Sequence, residues 1–156
     1  MARLVAGIDI GLDGGVAVLK DDGTVVAAHR MPRTVSAHGK HVVDAKALHG
    51  LVPASCALVV IEFTHTFGHE SRSACFSFGR STGKTQAVLE LLREPFSEVT
   101  PQMWKAEVLE GTKKDKAAAI GYCKARWPRL DFGGHDGVAD ALCMAEYARR
   151  QLTGSK

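Results

Sequence analysis

The sequence predicts an α/β protein in which helices cover a mixed five-stranded sheet. The chain opens with three short apolar segments, 3–10, 15–20 and 24–31, separated by glycine-containing turns. This spacing is typical of an antiparallel three-stranded meander. Two later apolar segments, 57–63 and 96–101, alternate with amphipathic stretches. That alternation is typical of parallel strands joined by helices.

The first strand is apolar on both faces, so we expect it at the centre of the sheet. The turns that follow it contain LDGG at 12–15 and DDG at 21–23. Glycine and aspartate are the residues that tight turns require. The polar segment 32–43 is expected to form a loop between the third strand and the first helix.

Helices are predicted from apolar spacing and from residues that suit helix ends. Asp44 is placed to cap a short helix over 44–52. The segment 85–94 has amphipathic spacing, and its helix is expected to begin near Ser73. The remaining predictions are a short helix opened by Pro101, a helix over 114–127 that ends before Pro128, and a final helix over 135–152 with Arg149 and Arg150 in its last turn.

The length of 156 residues suggests one domain spanning 1–156. No apolar run reaches the roughly 20 residues that cross a bilayer, which argues against a membrane protein. The four cysteines form no C-x-x-C pair and lie in mostly apolar segments. We therefore expect reduced, packed cysteines and a cytoplasmic location.

Four carboxylates interrupt apolar surroundings. Asp9 lies within the first strand and Glu62 near the end of the fourth, while Asp136 and Asp140 are four residues apart and share a helix face. Unpaired anions in such settings are costly, so the acids must be protonated or bind a cation. Oxygen donors without cysteine favour Mg²⁺ or Mn²⁺. Two such ions about 3.5–4 Å apart could activate water against a phosphodiester.

Structural roles for the same acids are also open at this stage. An aspartate at a strand end can cap a turn, Asp136 could be the N-cap of the last helix, and Glu62 could pair with an arginine. The occurrence of four acids in apolar segments of three elements favours the cation.

Three motifs in a fixed order give the chain a family resemblance. GIDIGLDGGVAVL, VVIEF about fifty residues later, and HDGVADALCMAEYA near the C-terminus resemble RuvC-type Holliday junction resolvases of the RNase H-like superfamily. SFGRSTGKTQAVLELL resembles the helix after the acidic strand of that family. VTPQMWKAEVL and KKDKAAAIGYCKARWP are similar to the corresponding region of phage and organellar members. The similarity runs over roughly residues 4–150.

The resemblance implies an RNase H-like fold, a homodimer and hydrolysis of four-way DNA junctions with two Mg²⁺ ions per active site, for which Mn²⁺ would substitute. Asp9, Glu62 and Asp140 match three acids of the family. The fourth position departs from the pattern, because Gly137 stands where bacterial members usually have an acid. Asp136 is the nearest acid and is assigned to the site, with His135 as the alternative.

Basic residues suit a nucleic-acid partner. Residues 80–129 contain ten Lys and Arg against six acids, a local excess of +4 within a chain of net charge +3. Such an excess is compatible with a phosphate backbone and also with a solvated charged surface. The candidate DNA contacts are Arg80, Lys84, Lys105, Lys113, Lys114 and Lys116, and Lys105 or Lys116 could also stabilise charge on the phosphate.

Two further motifs need an interpretation. Phe67, in the loop after Glu62, is expected to stack on an exposed base of a distorted junction, although it could also pack beneath its own loop. GRSTGKT at 79–85 resembles a phosphate-binding loop but has three residues between its glycines instead of four, and no strand precedes it. We therefore expect a helix there and no nucleotide cofactor.

The leading hypothesis is a junction-resolving endonuclease of a bacterial or phage-infected cell. One alternative is an RNase H-like nuclease that acts on RNA–DNA hybrids or on other branched DNA. The other is a junction-binding protein without catalysis.

Overall fold

The computed structural model describes residues 2–63 and 68–154. Over these residues the chain forms seven strands and five helices. Five strands come first, helices and strands then alternate as far as the third helix, and two further helices follow. The elements are β1 (Leu4–Asp9), β2 (Gly15–Lys20), β3 (Val25–Arg30), β4 (Arg33–Val35), β5 (His41–Val43), α1 (Ala45–Leu51), β6 (Cys56–Glu62), α2 (Arg72–Leu92), β7 (Phe96–Val99), α3 (Pro101–Val108), α4 (Lys116–Arg126) and α5 (Asp136–Thr153).

Five of the strands form one mixed sheet in the order β3-β2-β1-β6-β7. β1, β2 and β3 are antiparallel neighbours, whereas β6 pairs parallel with β1 and β7 pairs parallel with β6. β1 lies at the centre, with strands on both sides. The predicted sheet, a meander extended by two parallel strands, is confirmed.

Alternate side chains of the strands enter two separate hydrophobic clusters. Val5, Leu19 and Val60 pack with α5 on one face. Ala6, Ile8 and Ile61 belong to the cluster on the other face, which includes residues of α1 and α2. This period of two is what a buried strand requires, because successive side chains point to opposite faces.

Helix α5 lies directly on the central strands. A Cβ atom at Gly7 would overlap backbone atoms of Ala141 and Ala145, and one at Gly137 would overlap backbone atoms of the β1–β2 turn. Only glycine permits so close an approach at these positions. The acids at the start of α5 are thereby placed against the end of β1.

The expectation of a loop over 32–43 is wrong, because β4 and β5 form a two-stranded hairpin there. Thr34 and Val42 pair across it, and β-branched residues favour strands. Its turn is closed by a hydrogen bond from the Gly39 N–H to the Ser36 carbonyl at 2.9 Å, with Gly39 at a φ of +73°. Strands of three residues around a polar turn have too little apolar periodicity to be recognised from sequence.

The helices begin at residues whose side chains cap them. Asp44, as predicted, accepts a hydrogen bond from the Ala47 N–H at 3.0 Å. Ser71, Thr100 and Asp115 cap α2, α3 and α4 in the same way. α2 begins one residue before Ser73 and includes 79–85, so the segment that resembles a phosphate-binding loop is helical.

All four cysteines are free, and Cys56, Cys123 and Cys143 are buried, in agreement with the predicted packing role. Within 2–63 and 68–154, no helix is both long and apolar enough to cross a membrane.

Candidate active site

Asp9 and Glu62 end the two central parallel strands on the same face of the sheet. Ile8 of β1 is in register with Ile61 of β6, so Asp9 and Glu62 follow at adjacent positions. By strand alternation they share the face of Val5 and Val60, which packs on α5. Carboxyl ends of neighbouring parallel strands are a common place for functional groups.

Helix α5 brings two more acids to this edge. Asp140 lies one turn after Asp136, the first residue of the helix. A pocket of about 280 Å³ opens between the start of α5 and the β1–β2 turn. Its walls are Asp9, Ile10, Gly11, Leu12, Asp13, Gly14, Lys116, Asp136, Gly137 and Asp140.

Three of the carboxylates share one electrostatic environment. Burial raises the pKa of Asp9 well above its ordinary 3.8, and repulsion from Glu62 and Asp140 raises it further. Burial also raises the pKa of Glu62, with repulsion from Asp140 in addition. The pKa of Asp140 is raised by burial, against the attraction of Lys105. These acids therefore lie close enough to disfavour one another's ionisation.

Neighbours on α3 offset part of this repulsion. The fully buried Trp104 donates its indole N–H to Glu62 Oε2 at 3.4 Å. The adjacent Lys105 ammonium lies 5.2 Å from the centre of the Trp104 ring and lowers the pKa of Asp9, Glu62 and Asp140. Trp104 belongs to the hydrophobic cluster that packs on α5. Its hydrogen bond to Glu62 was not foreseen.

Asp136 differs from the other three acids. It binds Lys116 with Nζ 2.6 Å from Oδ2, and its Oδ1 accepts the Gly137 N–H at 3.0 Å. The hydrogen bond from Lys116 lowers the pKa of Asp136, although partial burial acts in the opposite direction. Asp136 is thus an ionised, paired acid at the rim of the pocket.

The structure corrects one alternative for Asp136. The N-cap of α5 is His135, and Asp136 is the first helical residue. The His135 side chain makes no capping hydrogen bond. Its buried Nδ1 has no hydrogen-bond partner among the described residues. The choice between Asp136 and His135 as the fourth group of the site stays a prediction.

The donor set suits a divalent cation by its chemistry. Carboxylate oxygens are the ligands that Mg²⁺ prefers, and burial raises the pKa of Asp9 and Asp140 although Lys105 acts in the opposite direction. However, over residues 2–63 and 68–154 no three Asp, Glu, His or Cys side chains are arranged to hold one ion. The chemistry of the donors fits a hard cation, whereas the side-chain positions do not form a completed ligand set.

The predicted DNA-binding residues occupy different surroundings. Lys105 and Lys116 lie at the acid cluster, and Lys113 and Lys114 are exposed in the turn before α4. The Lys84 ammonium donates to the Val43 carbonyl at 2.8 Å, which ties α2 to β5. Phe67 lies outside the described residues, so its stacking role stays a prediction. Arg80 lies farther along α2, with its guanidinium 5.6 Å from the centre of the Phe76 ring.

The strand order, the parallel β1–β6 pair and the helix that covers them define the RNase H-like fold. Within that fold the chain is similar to two solved structures from Thermus thermophilus. These are RuvC, with 19% identity and a TM-score of 0.61, and RuvC in complex with a Holliday junction substrate, with 17% identity and a TM-score of 0.62; both alignments cover 98% of each chain. The resemblance found in the sequence is therefore confirmed at the level of the fold.

A weaker likeness is to the yeast mitochondrial Holliday junction resolvase Ydc2, at 13% identity and a TM-score of 0.42, over 95% of this chain and 78% of that one. No family model and no curated protein sequence matches the chain.

Proposed function

We propose that the chain is a structure-selective DNA endonuclease that resolves four-way junctions by divalent-metal-dependent hydrolysis. The observation that carries this proposal is the electrostatic cluster of Asp9, Glu62 and Asp140. These acids come from β1, β6 and α5, and burial raises the pKa of each. A fold that gathers desolvated anions without matching cations is suited to bind a cation from solution.

Asp9, Glu62 and Asp140 would hold the cations, with Asp136 or His135 as the fourth group. Two divalent ions there would stabilise charge on the transferring phosphoryl group and make a water molecule more acidic. Lys105 partly neutralises the cluster before any cation binds. The hydrogen bond from Trp104 fixes one oxygen of Glu62 and leaves the other available to the cluster.

Lys116 is placed to contact the substrate. It is 79% exposed and reaches Asp136 from the first residue of α4. An ammonium at the rim of an acidic pocket can bind a non-bridging phosphate oxygen and stabilise the charge that develops on it. The exposed Lys113 and Lys114 extend the positive surface from the same side.

Junction resolution requires two symmetric nicks, so we propose a two-fold homodimer with one site per subunit. The fold supports this function because the Thermus thermophilus RuvC of similar structure is bound to a Holliday junction substrate. Each cut is expected to leave a 5′-phosphate and a 3′-hydroxyl.

A junction-binding protein without catalysis is the second candidate. The absence of a completed three-ligand set among the described residues favours it. The raised pKa values favour the nuclease, because a protein that only binds gains nothing from retaining uncompensated buried acids.

A substrate panel with a matched pair of variants separates these functions. The purified chain is incubated with a four-way junction, a linear duplex and an RNA–DNA hybrid, with Mg²⁺ and with EDTA. Asp9→Asn removes an acid of the cluster. Asp22→Asn is the control, because Asp22 is exposed in the β2–β3 turn and its hydrogen bonding is local, with the Thr24 N–H as donor at 2.8 Å.

We expect Mg²⁺-dependent cleavage of the junction, retained by Asp22→Asn. Asp9→Asn should slow cleavage at least about 1,000-fold, more than the 10–100-fold typical for an outer-shell partner of a metal, while junction binding persists. Junction binding without cleavage by the unmodified chain would establish the non-catalytic alternative. Preferential cleavage of the hybrid would replace the proposed substrate.

A further inference from the structure

A second pocket, of about 300 Å³, lies between the β4–β5 hairpin and the first turns of α2. It is separate from the acidic pocket, and none of its lining residues is an Asp or Glu. The lining combines cationic or imidazole side chains with hydroxyls and one aromatic ring: Ser36, His38, Lys40, His41, Ser73, Phe76, Ser77 and Arg80. We call it the basic pocket.

The walls of the basic pocket are held by defined hydrogen bonds. The hairpin turn is closed by the Ser36 N–H to the Lys40 carbonyl at 2.8 Å and by the Lys40 N–H to Ser36 Oγ at 3.2 Å. On the other side, the Lys84 ammonium joins α2 to the Val43 carbonyl of β5. The turn and the helix are therefore fixed relative to each other, which reduces the entropic cost of binding a ligand between them.

The side chains that line the basic pocket are suited to bind a phosphate group. Arg80 has its guanidinium 5.6 Å from the centre of the Phe76 ring, a position that orients its N–H groups. Phe76 itself is 69% exposed. Arginine with lysine and serine hydroxyls is a frequent set of partners for phosphate oxygens in protein–DNA complexes.

The basic pocket is linked to the acidic pocket through the β4–β5 hairpin. Arg33, the first residue of β4, pairs with Asp13 in the β1–β2 turn at 3.1 Å, and Asp13 lines the acidic pocket. The turn of the same hairpin lines the basic pocket.

We infer that the basic pocket binds a backbone phosphate of a duplex arm and so positions the arm relative to the acid cluster. This inference rests on the proposed function, because it assigns a second contact to the same substrate. Contacts of this kind set orientation and carry no sequence information.

The test measures the salt dependence of binding with a four-way junction and a linear duplex of the same arm sequence, in EDTA. The double variant Lys40→Gln/Arg80→Gln removes two cations from the basic pocket. Arg3→Gln is the matched control, because Arg3 pairs with Asp21 beyond the amino end of β1, away from Asp9. Circular dichroism and thermal unfolding establish that each variant is folded.

We expect the double variant to reduce the slope of log affinity against log salt by about 0.9 for the loss of one phosphate contact. Loss of this one phosphate contact should also weaken DNA binding about eightfold at 0.1 M salt. Because an arm phosphate is present in both substrates, the junction and the duplex should show the same loss, and Arg3→Gln should show none.

Unchanged affinity and slope in the folded double variant would overturn the inference. A loss of affinity with an unchanged slope would also overturn it, because that result indicates altered packing and not a lost phosphate contact. The two proposals fail separately: binding to duplex without preference for the junction would count against the proposed function, while the slope on duplex would still decide the role of the basic pocket.

Discussion

Helix α5 carries two buried acidic regions that the fold treats in opposite ways. Near its end, Glu146 is 2% exposed and is surrounded by arginines. Near its start, Asp140 joins Asp9 and Glu62 in a cluster whose repulsion is only partly offset by Lys105. Both regions lie against the same sheet, so burial alone does not explain the difference.

At Glu146 the charge is fully compensated within the chain. Arg149 makes a two-pronged contact with the carboxylate, at 2.7 and 2.8 Å, and Arg150 adds a third hydrogen bond at 3.2 Å. Arg150 also donates to the Glu107 carbonyl and to Tyr122 Oη. Burial opposes ionisation of Glu146, but the two arginines outweigh it and lower its pKa.

This fold can therefore surround a buried carboxylate with cations where the charge has a structural role. At the acid cluster the chain supplies fewer cations than anions. That deficit is the physical basis for assigning a bound cation to the cluster, and it also means that the cluster lowers the stability of the metal-free protein.

The largest expected effect comes from breaking the compensated region. Glu146→Gln leaves the partly buried Arg149 and Arg150 without their counter-charge, and it should lower the free energy of unfolding by about 3 kcal/mol, the lower end expected for a broken buried ion pair. Urea unfolding at pH 7 measures the loss. Glu110→Gln, an exposed acid in the turn after α3, is the control and should change stability by less than about 0.5 kcal/mol.

The stability lost in Glu146→Gln should depend on pH. Because folding lowers the pKa of Glu146, its stabilisation is present above the ordinary value of 4.5 and disappears as pH falls through the lowered value. The cost of Glu146→Gln should therefore shrink in acid. If Glu146→Gln lowers the free energy of unfolding by less than about 1 kcal/mol at pH 7, the two arginines do not compensate a buried charge there.

A smaller effect of opposite sign is expected at the acid cluster. Asp9→Asn removes a carboxylate that is desolvated and repelled by its neighbours. It should raise the free energy of unfolding of the metal-free protein by about 1–2 kcal/mol at pH 7.5, because functional sites are commonly less stable than the rest of a fold. Folding raises the pKa of Asp9. The side chain therefore begins to destabilise the folded state when the pH rises above 3.8, the ordinary pKa at which it ionises in the unfolded chain. The variant and the unmodified protein should be equally stable below that pH.

Unfolding curves in EDTA at several pH values check this prediction. Equal stabilities at pH 7.5, or a variant that is less stable there, would mean that Asp9 is compensated within the chain.

The sequence was sufficient for the sheet, and it singled out Asp9 and Glu62 because both visibly interrupt apolar strands. The structure adds the register that places them side by side, and their role in a site stays a prediction. The hairpin over 33–43 was missed because its strands are only three residues long and β4 is exposed. The hydrogen bond from Trp104 to Glu62 depends on how α3 docks beside β6, and the pairing of Lys116 with Asp136 depends on the packing of α4 against α5. Such contacts join residues far apart in the chain and leave no periodic signal.

The most direct test of the central claim is the effect of Mg²⁺ on stability, measured for the unmodified chain and for Asp9→Asn at pH 7.5. If the acid cluster binds the cation, the free energy of unfolding of the unmodified chain should rise by about 1.4 kcal/mol at ten times the dissociation constant, and the variant should show a much smaller rise over the same concentrations. Equal rises in both proteins, or no rise in either, would contradict the account.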